Sequence, residues 1–514
     1  MAQDALKRKV LLIYPDFTST ENRKDSYGSY SEGLASISAV LKQAGHEVAL
    51  YHVTYMPDKQ EFINNIKKHS DADIVGFTVR TSGFPEVITF LQWTKEALPS
   101  ALTLCGGYHP TLAPIEVIET KNVDVVCIGE GEYAMLDLCN LLGEDAMYDI
   151  QNLWFKKADG SIIKNSVRPC IETLEELPLP DYDLFDYDNL MSSRMRTALV
   201  MVSRGCIFSC TYCGNSKLRE VYPNKANYAR FRSPENAIAL LKTLLAKYPY
   251  IKYLNFRDAI LNMKKEWFDS FIEIYKNEIH LPFTGNLRLD LLDEDVIKRL
   301  AEAGCYMIDV GLESGDYEMR KKYLHRNMTD EQIITSFKFF RKYGIISLTY
   351  NIVGLPYENL KLALKTVKLN ALIRPDRSIA NVFTPFPMTR LKEIAKEGGF
   401  LPDVLDFKRK VFLVQPQFPE AQVLFVEAYF NLFQKLYQFA WKLPKPISKV
   451  TESMIDAYFT TKYKPHGLLV ALYNLKHKSV KGMKRILLKT NPKLYLKLRD
   501  ARVMKKQAVG QETK

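Results

Sequence analysis

Histidine, tryptophan and cysteine are scarce in this chain of 514 residues, which holds eight, four and eight of them. No apolar run approaches the about eighteen residues that a bilayer-crossing helix needs, so no membrane span is expected. The opening, Met1 to Lys9, is polar and charged and predicts no secretory leader. Sparse cysteines without a leader argue against a disulfide framework and for reduced thiols in a cytoplasmic setting. Also missing is a G-x-G-x-x-G turn after the first apolar run, where PDFTST stands instead; this excludes the usual dinucleotide fingerprint. The composition, 47% hydrophobic and 25% charged, excludes disorder as the default, and the length predicts two or three domains.

Against this scarcity, three of the eight cysteines crowd into one loop, RGCIFSCTYCGN, as Cys206, Cys210 and Cys213. Three thiolates at that spacing can ligate three irons of a [4Fe–4S] cluster, which ordinarily takes four cysteines. The next cysteine downstream is Cys305, so one iron would stay open for a ligand. A structural zinc site is the competing reading, but it calls for separated pairs and a fourth Cys or His, and no histidine lies within sixty residues. The spacing, with Tyr212 before the third cysteine and Gly214 after it, resembles the fingerprint of the radical S-adenosylmethionine enzymes. That resemblance implies that the open iron chelates the amino and carboxylate groups of S-adenosylmethionine.

Upstream, KVLLIYP, HEVALYHV, DIVGFTV, LTLCGGYH and VDVVCIGEGE alternate with helical patterns near Glu32 and from Asp58, Pro85 and Tyr133. Five strands so separated predict an open, parallel, doubly wound (Rossmann-like) sheet, whose ligands bind beyond the carboxyl ends of the strands. The special residues fall there: Thr78, Arg80, Thr81 and Ser82 after the third run, Gly106, Gly107 and His109 after the fourth, Gly129, Glu130 and Gly131 after the fifth. SEGLASISAVLKQAGHEV, GGYHPTLAP and IGEGE resemble segments of the vitamin B12-binding domain that precedes many radical S-adenosylmethionine domains. The D-x-H-x-x-G motif of other cobalamin proteins is missing, with Cys127 standing where its histidine would. His109 then has two readings, a cobalt ligand or a loop histidine bonding near the ligand's tail. Cys105 and Cys127, inside apolar strands, read as small buried hydrophobes.

Asp159-Gly160 between two alternating runs predicts a two-residue hairpin, and the proline-rich, acidic LEELPLPDYDLF reads as a connector. From Thr197 six further strand–helix units follow, beginning with TALVMVSR, IKYLNFRD, FTGNLRLD, CYMIDVGLE, ISLTYNIVGLP and SIANVFTPFP. Ser233-Pro234-Glu235 and Thr329-Asp330-Glu331 mark helix starts. Six units predict a partial (β/α)6 TIM-like barrel, with reactive groups at the C-terminal strand ends; in this it resembles the radical S-adenosylmethionine core. By resemblance Glu313, with Ser314, meets the cofactor's ribose, and the stretch Asn351, Val353, Gly354 cradles its adenine. Arg288 would grip the methionyl carboxylate or, alternatively, pair with Asp290. The chain departs from the family pattern at Tyr357, where glycine usually precedes Glu358, at Met388, again in place of glycine, and at Asp258 in FRDA, where paired aspartates are common.

The net charge of +12 is uneven: from residue 442 on, eighteen Lys or Arg face four Asp or Glu, whereas the first 441 residues carry 53 against 55. An aromatic-rich helix over 424–441 and a basic stretch over 442–506 are expected. That stretch reads as a solvated or packing helix, or as a peripheral contact with the inner face of a membrane; nucleic acid ranks last, since no stacking module accompanies it.

The resulting layout is a cobalamin-binding domain at 1–145, hairpin and linker at 146–190, a radical S-adenosylmethionine core at 191–402 and a helical, basic region at 403–514. The resemblance implies a [4Fe–4S] cluster, S-adenosyl-L-methionine and cobalamin as cofactors, with an external one-electron reductant of flavodoxin or ferredoxin type. It implies a C-methyltransferase in which a 5′-deoxyadenosyl radical takes hydrogen from an unactivated carbon of a small-molecule or lipid substrate and cobalamin delivers a methyl group. An oxidative cyclase or rearrangement enzyme using the same cofactors is the alternative. A non-catalytic cobalamin or iron–sulfur carrier is the alternative from another class.

Overall fold

A computed structural model describes residues 7–17, 24, 26–403, 405–406, 409–460, 475, 479, 482–484, 486–488 and 490–512. The chain forms two compact units: Met1–Phe208 with Cys213–Ile251 and Phe386–Met388, and Ser209–Tyr212 with Lys252–Pro385 and Thr389–Lys514.

In the first unit the five expected strands form: β1 Lys9–Pro15, β2 Glu47–Val53, β3 Ile74–Thr78, β4 Leu102–Gly106 and β5 Val125–Cys127. They pair in parallel in the order β2-β1-β3-β4-β5. Their near-continuous apolar runs follow from helices covering both faces of the sheet. Val75, Phe77, Cys105 and Val126 are buried against Phe62, Phe90 and Leu91 of the covering helices. Asp58 caps the helix Lys59–Ile66 by accepting from the Glu61 amide, as its position before that helix predicts.

The hairpin strands β6 Leu153–Lys156 and β7 Ile162–Lys164 continue the sheet antiparallel at its β5 edge. Their connection departs from the expected two-residue turn. The Lys157 amide donates to the Ser161 carbonyl, the Gly160 amide returns to Lys157, and Gly160 takes φ +84°. Ala158-Asp159-Gly160 is therefore a three-residue loop, a type I turn closed by a left-handed glycine. The connector is held in this unit: Asp181 accepts from Ser38 Oγ at 2.6 Å and pairs with Lys42 at 2.7 Å, and Tyr182 and Tyr187 pack with Tyr30 and Tyr248. Beyond it lie β8 Thr197–Val200 and a two-residue antiparallel pair, β9 Ser203–Arg204 with β10 Arg230–Phe231.

The second unit carries β11 Tyr253–Phe256, β12 Phe283–Leu287, β13 Cys305–Glu313, β14 Ile346–Val353 and β15 Arg377–Val382, parallel and paired in chain order. With β8, all six strands expected of the barrel are formed. Thr329 begins the helix Asp330–Lys342 with a reciprocal capping box to Gln332.

The expected aromatic helix runs Glu420–Ala440 and is a core element: Val423, Val426, Phe430 and Phe433 bury against Leu360, Ala363, Leu364 and Val367. The helix Lys445–Thr460 is tied down where Glu452 and Asp456 meet Lys368 at 2.8 and 2.9 Å. The helix Pro492–Glu512 packs through Asp500, which accepts from Tyr253 Oη at 2.9 Å, and Arg499, whose guanidinium lies 4.1 Å from the Tyr253 ring centre. Much of the basic stretch between 461 and 489 lies outside the described residues. No helix among the described residues is long and apolar enough to cross a membrane.

Candidate functional site

In the first unit the ends of β3, β4 and β5 open on a cavity of about 320 Å³. Of the residues singled out in the sequence, Thr78, Gly106, Gly107, Gly129, Glu130 and Gly131 line it. Its remaining walls are largely apolar, from Leu12, Phe77, Leu104, Cys127 and Met135. Gly129 holds φ +83°, and a Cβ there would stand 2.8 Å from Tyr222 Oη, so only glycine lets that tyrosine close the wall.

Arg80, Thr81, Ser82 and His109 are not among the lining residues. Arg80 turns to Tyr14 Oη at 2.8 Å, Thr81 is buried beside the strand end, and Ser82 is exposed. His109 is buried with its ring against Phe84 and its Nε2 3.8 Å from Glu116. Its ring thus lies behind the end of β4, outside the lining of this cavity.

One group at the cavity escaped the sequence reading. Arg204 lies between Glu130 (2.9 Å) and Glu132 (2.6 Å), Arg230 meets both oxygens of Glu130 at 3.0 Å, and Ser36 donates to Glu132 at 2.7 Å. Burial pushes the Glu132 carboxyl up, but Arg204 and Ser36 outweigh it and hold that carboxyl below its ordinary value. Arg204 reads in sequence only as the end of an apolar run; its partners lie more than seventy residues upstream.

The cysteines divide between the units: Cys206 and Cys213 belong to the first, Cys210 to the second. None of the three is in a disulfide; Cys206 and Cys210 are buried and Cys213 partly so. Among the described residues, no three His, Cys, Asp or Glu side chains are gathered at a metal-holding spacing. Next to Cys213, a Cβ on Gly214 would stand 1.3 Å from Tyr108 Oη, so the GGYHP loop abuts the residue after the third cysteine. Cys105 and Cys127 are buried, and burial pushes both thiols up, Cys127 to about 12, as expected of inert small hydrophobes.

In the second unit, Thr211 anchors the stretch that carries Cys210: its carbonyl accepts from Leu391 at 3.0 Å and its amide donates to Leu324. Two buried guanidiniums reach the Cys210 sulfur, Arg288 Nη1 at 3.5 Å and Arg326 Nη1 at 3.8 Å. Tyr212 Oη donates to Glu313 at 2.8 Å and accepts from Arg326 at 3.1 Å. Glu313 closes β13 at φ +65°, where the register shifts between Gly311 and Glu313, which turns its carboxyl in toward Tyr212. Burial raises the Glu313 carboxyl above its ordinary value, opposed by Arg326, Tyr212 and Arg288.

Arg288 realises its alternative reading, pairing with Asp290 through two hydrogen bonds of 2.9 and 2.6 Å. Arg326, which no motif flagged, is the less committed cation, because its Nε is buried without a partner. Ser314 is fully buried and accepts from the Asp316 amide. The Asn351 side chain is consumed by Thr349, Ile379 and Asn370, so only its backbone is left to offer a ligand. Val353 is core, and the Gly354 and Leu355 amides both donate to Glu358, whose carboxyl burial pushes up to about 8.

These residues fit the groups that the sequence implies. A sulfur bracketed by two guanidiniums suits a thiolate ligand. A buried Nε without a partner calls for an acceptor. A cavity floored by glycines at two strand ends admits close backbone approach by a bulky ligand.

Residues 200–369 match the family described as the radical SAM superfamily, and residues 27–139 match the B12 binding domain. An uncharacterized methyltransferase of Pyrococcus horikoshii is 28% identical over 398 residues, 76% of this chain and 84% of that protein. The anaerobic magnesium-protoporphyrin IX monomethyl ester cyclase of Rubrivivax gelatinosus is 24% identical over 428 residues, 80% and 74% of the two chains. Among solved structures, the radical S-adenosylmethionine methyltransferase TsrM of Kitasatospora setae, with cobalamin and a [4Fe-4S] cluster bound, has the same fold at a TM-score of 0.62 and 17% identity, covering 76% of this chain and 75% of its own. The chain thus carries a B12 binding domain followed by a domain of the radical SAM superfamily.

Proposed function

We propose that this protein is a cobalamin-dependent radical S-adenosylmethionine enzyme that methylates an unactivated carbon of a small molecule. The observation that carries the reading is the buried constellation of Cys210, Arg326, Tyr212 and Glu313. When bound, the cluster and S-adenosylmethionine supply a hydrogen-abstracting carbon radical and cobalamin supplies a transferable methyl group.

The chain's own residues would hold and shield these groups. Cys206, Cys210 and Cys213 carry three irons. Arg326 uses its spare Nε to grip the methionyl carboxylate, and Glu313, oriented by Tyr212, receives the ribose hydroxyls. Backbone of Asn351, Val353 and Gly354 borders the adenine. Residues 1–145 bind cobalamin over the cavity floored by Gly106, Gly107 and Gly129. No histidine lines that cavity, so its residues offer the cobalt no imidazole. The electron comes from an external flavodoxin or ferredoxin.

Cyclisation without methyl transfer is the second reading, favoured by the likeness to the Rubrivivax cyclase. The anaerobic, cluster-reconstituted protein, given a strong reductant and S-adenosylmethionine, is expected to release 5′-deoxyadenosine. Metabolites of a deletion strain are expected to lack one product heavier than its precursor by one methylene. A missing product lighter by hydrogen only would select the cyclase, and no 5′-deoxyadenosine would overturn both readings.

The partner reading extends to an anionic membrane surface. The helix Lys445–Thr460 exposes Ile447, Val450, Met454 and Tyr458 at helical spacing, with exposed Lys445 and Lys449 beside them. The protein is expected to sediment with phosphatidylserine vesicles at low salt, and Val450→Glu with Met454→Glu should reduce the bound fraction roughly tenfold, the loss of one or two buried apolar side chains. Equal sedimentation of wild type and variant would rule this contact out.

A further inference from the structure

One face of the second unit's sheet is committed to helices. Ala380 and Val382 of β15 pack with Val423, Val426 and Phe430, so the other side-chain set of β15, Arg377, Ile379 and Asn381, points away from them, and all three are exposed. On β13 the corresponding set contains Asp309 and Gly311. A Cβ on Gly311 would meet Glu313 Oε1 at 2.2 Å, so this face looks toward the constellation described above.

Register lines the residues up. Asn286, Asp309, Leu348 and Arg377 are successive Cα partners across β12, β13, β14 and β15. Arg257 directly follows Phe256, the partner of Gly285, and so falls level with Asn286 at the far end of the same row. Asp309 is partly buried, and its buried Oδ1 has no hydrogen-bond partner. Burial raises its carboxyl above the ordinary value, while Arg257, Arg377 and the Tyr350 hydroxyl lower it. Both arginines therefore act on one carboxylate from opposite ends of the row. Both are exposed, and among the described residues neither guanidinium has a hydrogen-bond or ion-pair partner of its own.

We infer that Arg257, Arg377 and Asp309 form a substrate-recognition site for a small molecule that carries an oxyanion, a carboxylate or a phosphate ester, beside a hydroxyl or amine. The assignment rests on the proposed enzymatic reading, since it places the substrate on the sheet face that leads to Glu313, four residues before it on β13. Two guanidiniums against one carboxylate leave a single positive charge, which one oxyanion would neutralise. Guanidinium forks match carboxylate and phosphate oxygens in pairs. The unused oxygen of Asp309 then takes a donor of the substrate, because a buried acceptor left unmade is costly.

The test is phenylglyoxal labelling of the full-length, cluster-reconstituted protein, read by peptide mass mapping, with inorganic phosphate and succinate as probes. Arg257 and Arg377 are expected to label quickly and to be protected several-fold by at least one probe; the better protector separates phosphate from carboxylate. Arg257→Gln should weaken protection of Arg377 by roughly tenfold, the worth of one charge-assisted hydrogen bond. Asp309→Asn, which removes a like charge, should strengthen it. Labelling at both arginines unchanged by either probe, or protection of Arg377 undiminished in Arg257→Gln, would overturn the assignment. The readout needs no cleavage of S-adenosylmethionine, so protection without 5′-deoxyadenosine would fault the enzymatic reading, and the converse this one.

Discussion

Cys210→Ala is expected to leave anaerobically reconstituted protein with little iron or sulfide and to bring 5′-deoxyadenosine formation to background. Removing a group that only hydrogen-bonds a metal ligand costs roughly 10–100-fold in metal affinity, and removing the ligand itself costs more. The surroundings of Cys210 amplify the loss, because Arg288 and Arg326 both approach its sulfur and would face an apolar methyl instead. Arg326→Met makes a contrasting partner. It keeps the thiol and should retain iron, yet raise the S-adenosylmethionine concentration needed for half-maximal cleavage by roughly 10–100-fold, the worth of hydrogen bonds to a charged group. Iron content, sulfide content and 5′-deoxyadenosine yield measured on the same preparations check both. Full iron in Cys210→Ala would refute the cluster assignment. An unchanged requirement in Arg326→Met would move the carboxylate contact elsewhere.

Arg204→Met should produce the largest loss of stability. Glu130 and Glu132 would remain largely buried while their shared cation disappeared. Breaking such a pair from one side costs about 3 kcal/mol, roughly 6–12 °C in Tm for a unit of this size. The pH dependence changes sign as well. In the wild type, Glu132 is held below its ordinary value. Its contribution is therefore present above the unfolded carboxylate value, about 4.3, and lost as pH falls through the lower folded value. In the variant, burial acts on Glu132 with only Ser36 and a backbone amide opposing it, so the carboxyl is expected to shift upward and stability to decline as pH rises through that raised value. Melting curves at pH 5 and pH 7.5 distinguish the cases: the wild type is at least as stable at the higher pH, and the variant is more stable at the lower.

Much of the architecture was legible because strand and helix periodicities differ. The five parallel strands of the first sheet, the six barrel strands and the helix starts at Asp58 and Thr329 all follow from local pattern. The departures at Tyr357 and Met388 became intelligible only with backbone angles. Both residues take positive φ, +64° and +58°, which is where an L side chain is strained and glycine is not. Arg326 could not be found by pattern: it lies thirteen residues past Glu313, and tertiary placement alone brings it to Tyr212. The tail misled in a simple way. Its many lysines drew attention, yet three of its four acidic residues, Glu452, Asp456 and Asp500, make the contacts that fasten it to the barrel unit.

The Tyr108 hydroxyl leaves no room for even a methyl group on Gly214. Two loops more than a hundred residues apart in sequence therefore pack without a gap: the turn that follows a glycine floor of the first cavity, and the segment leaving the third cysteine. An added side-chain atom at position 214 would therefore displace Tyr108, and with it the segment that follows Gly106 and Gly107 in the cavity floor.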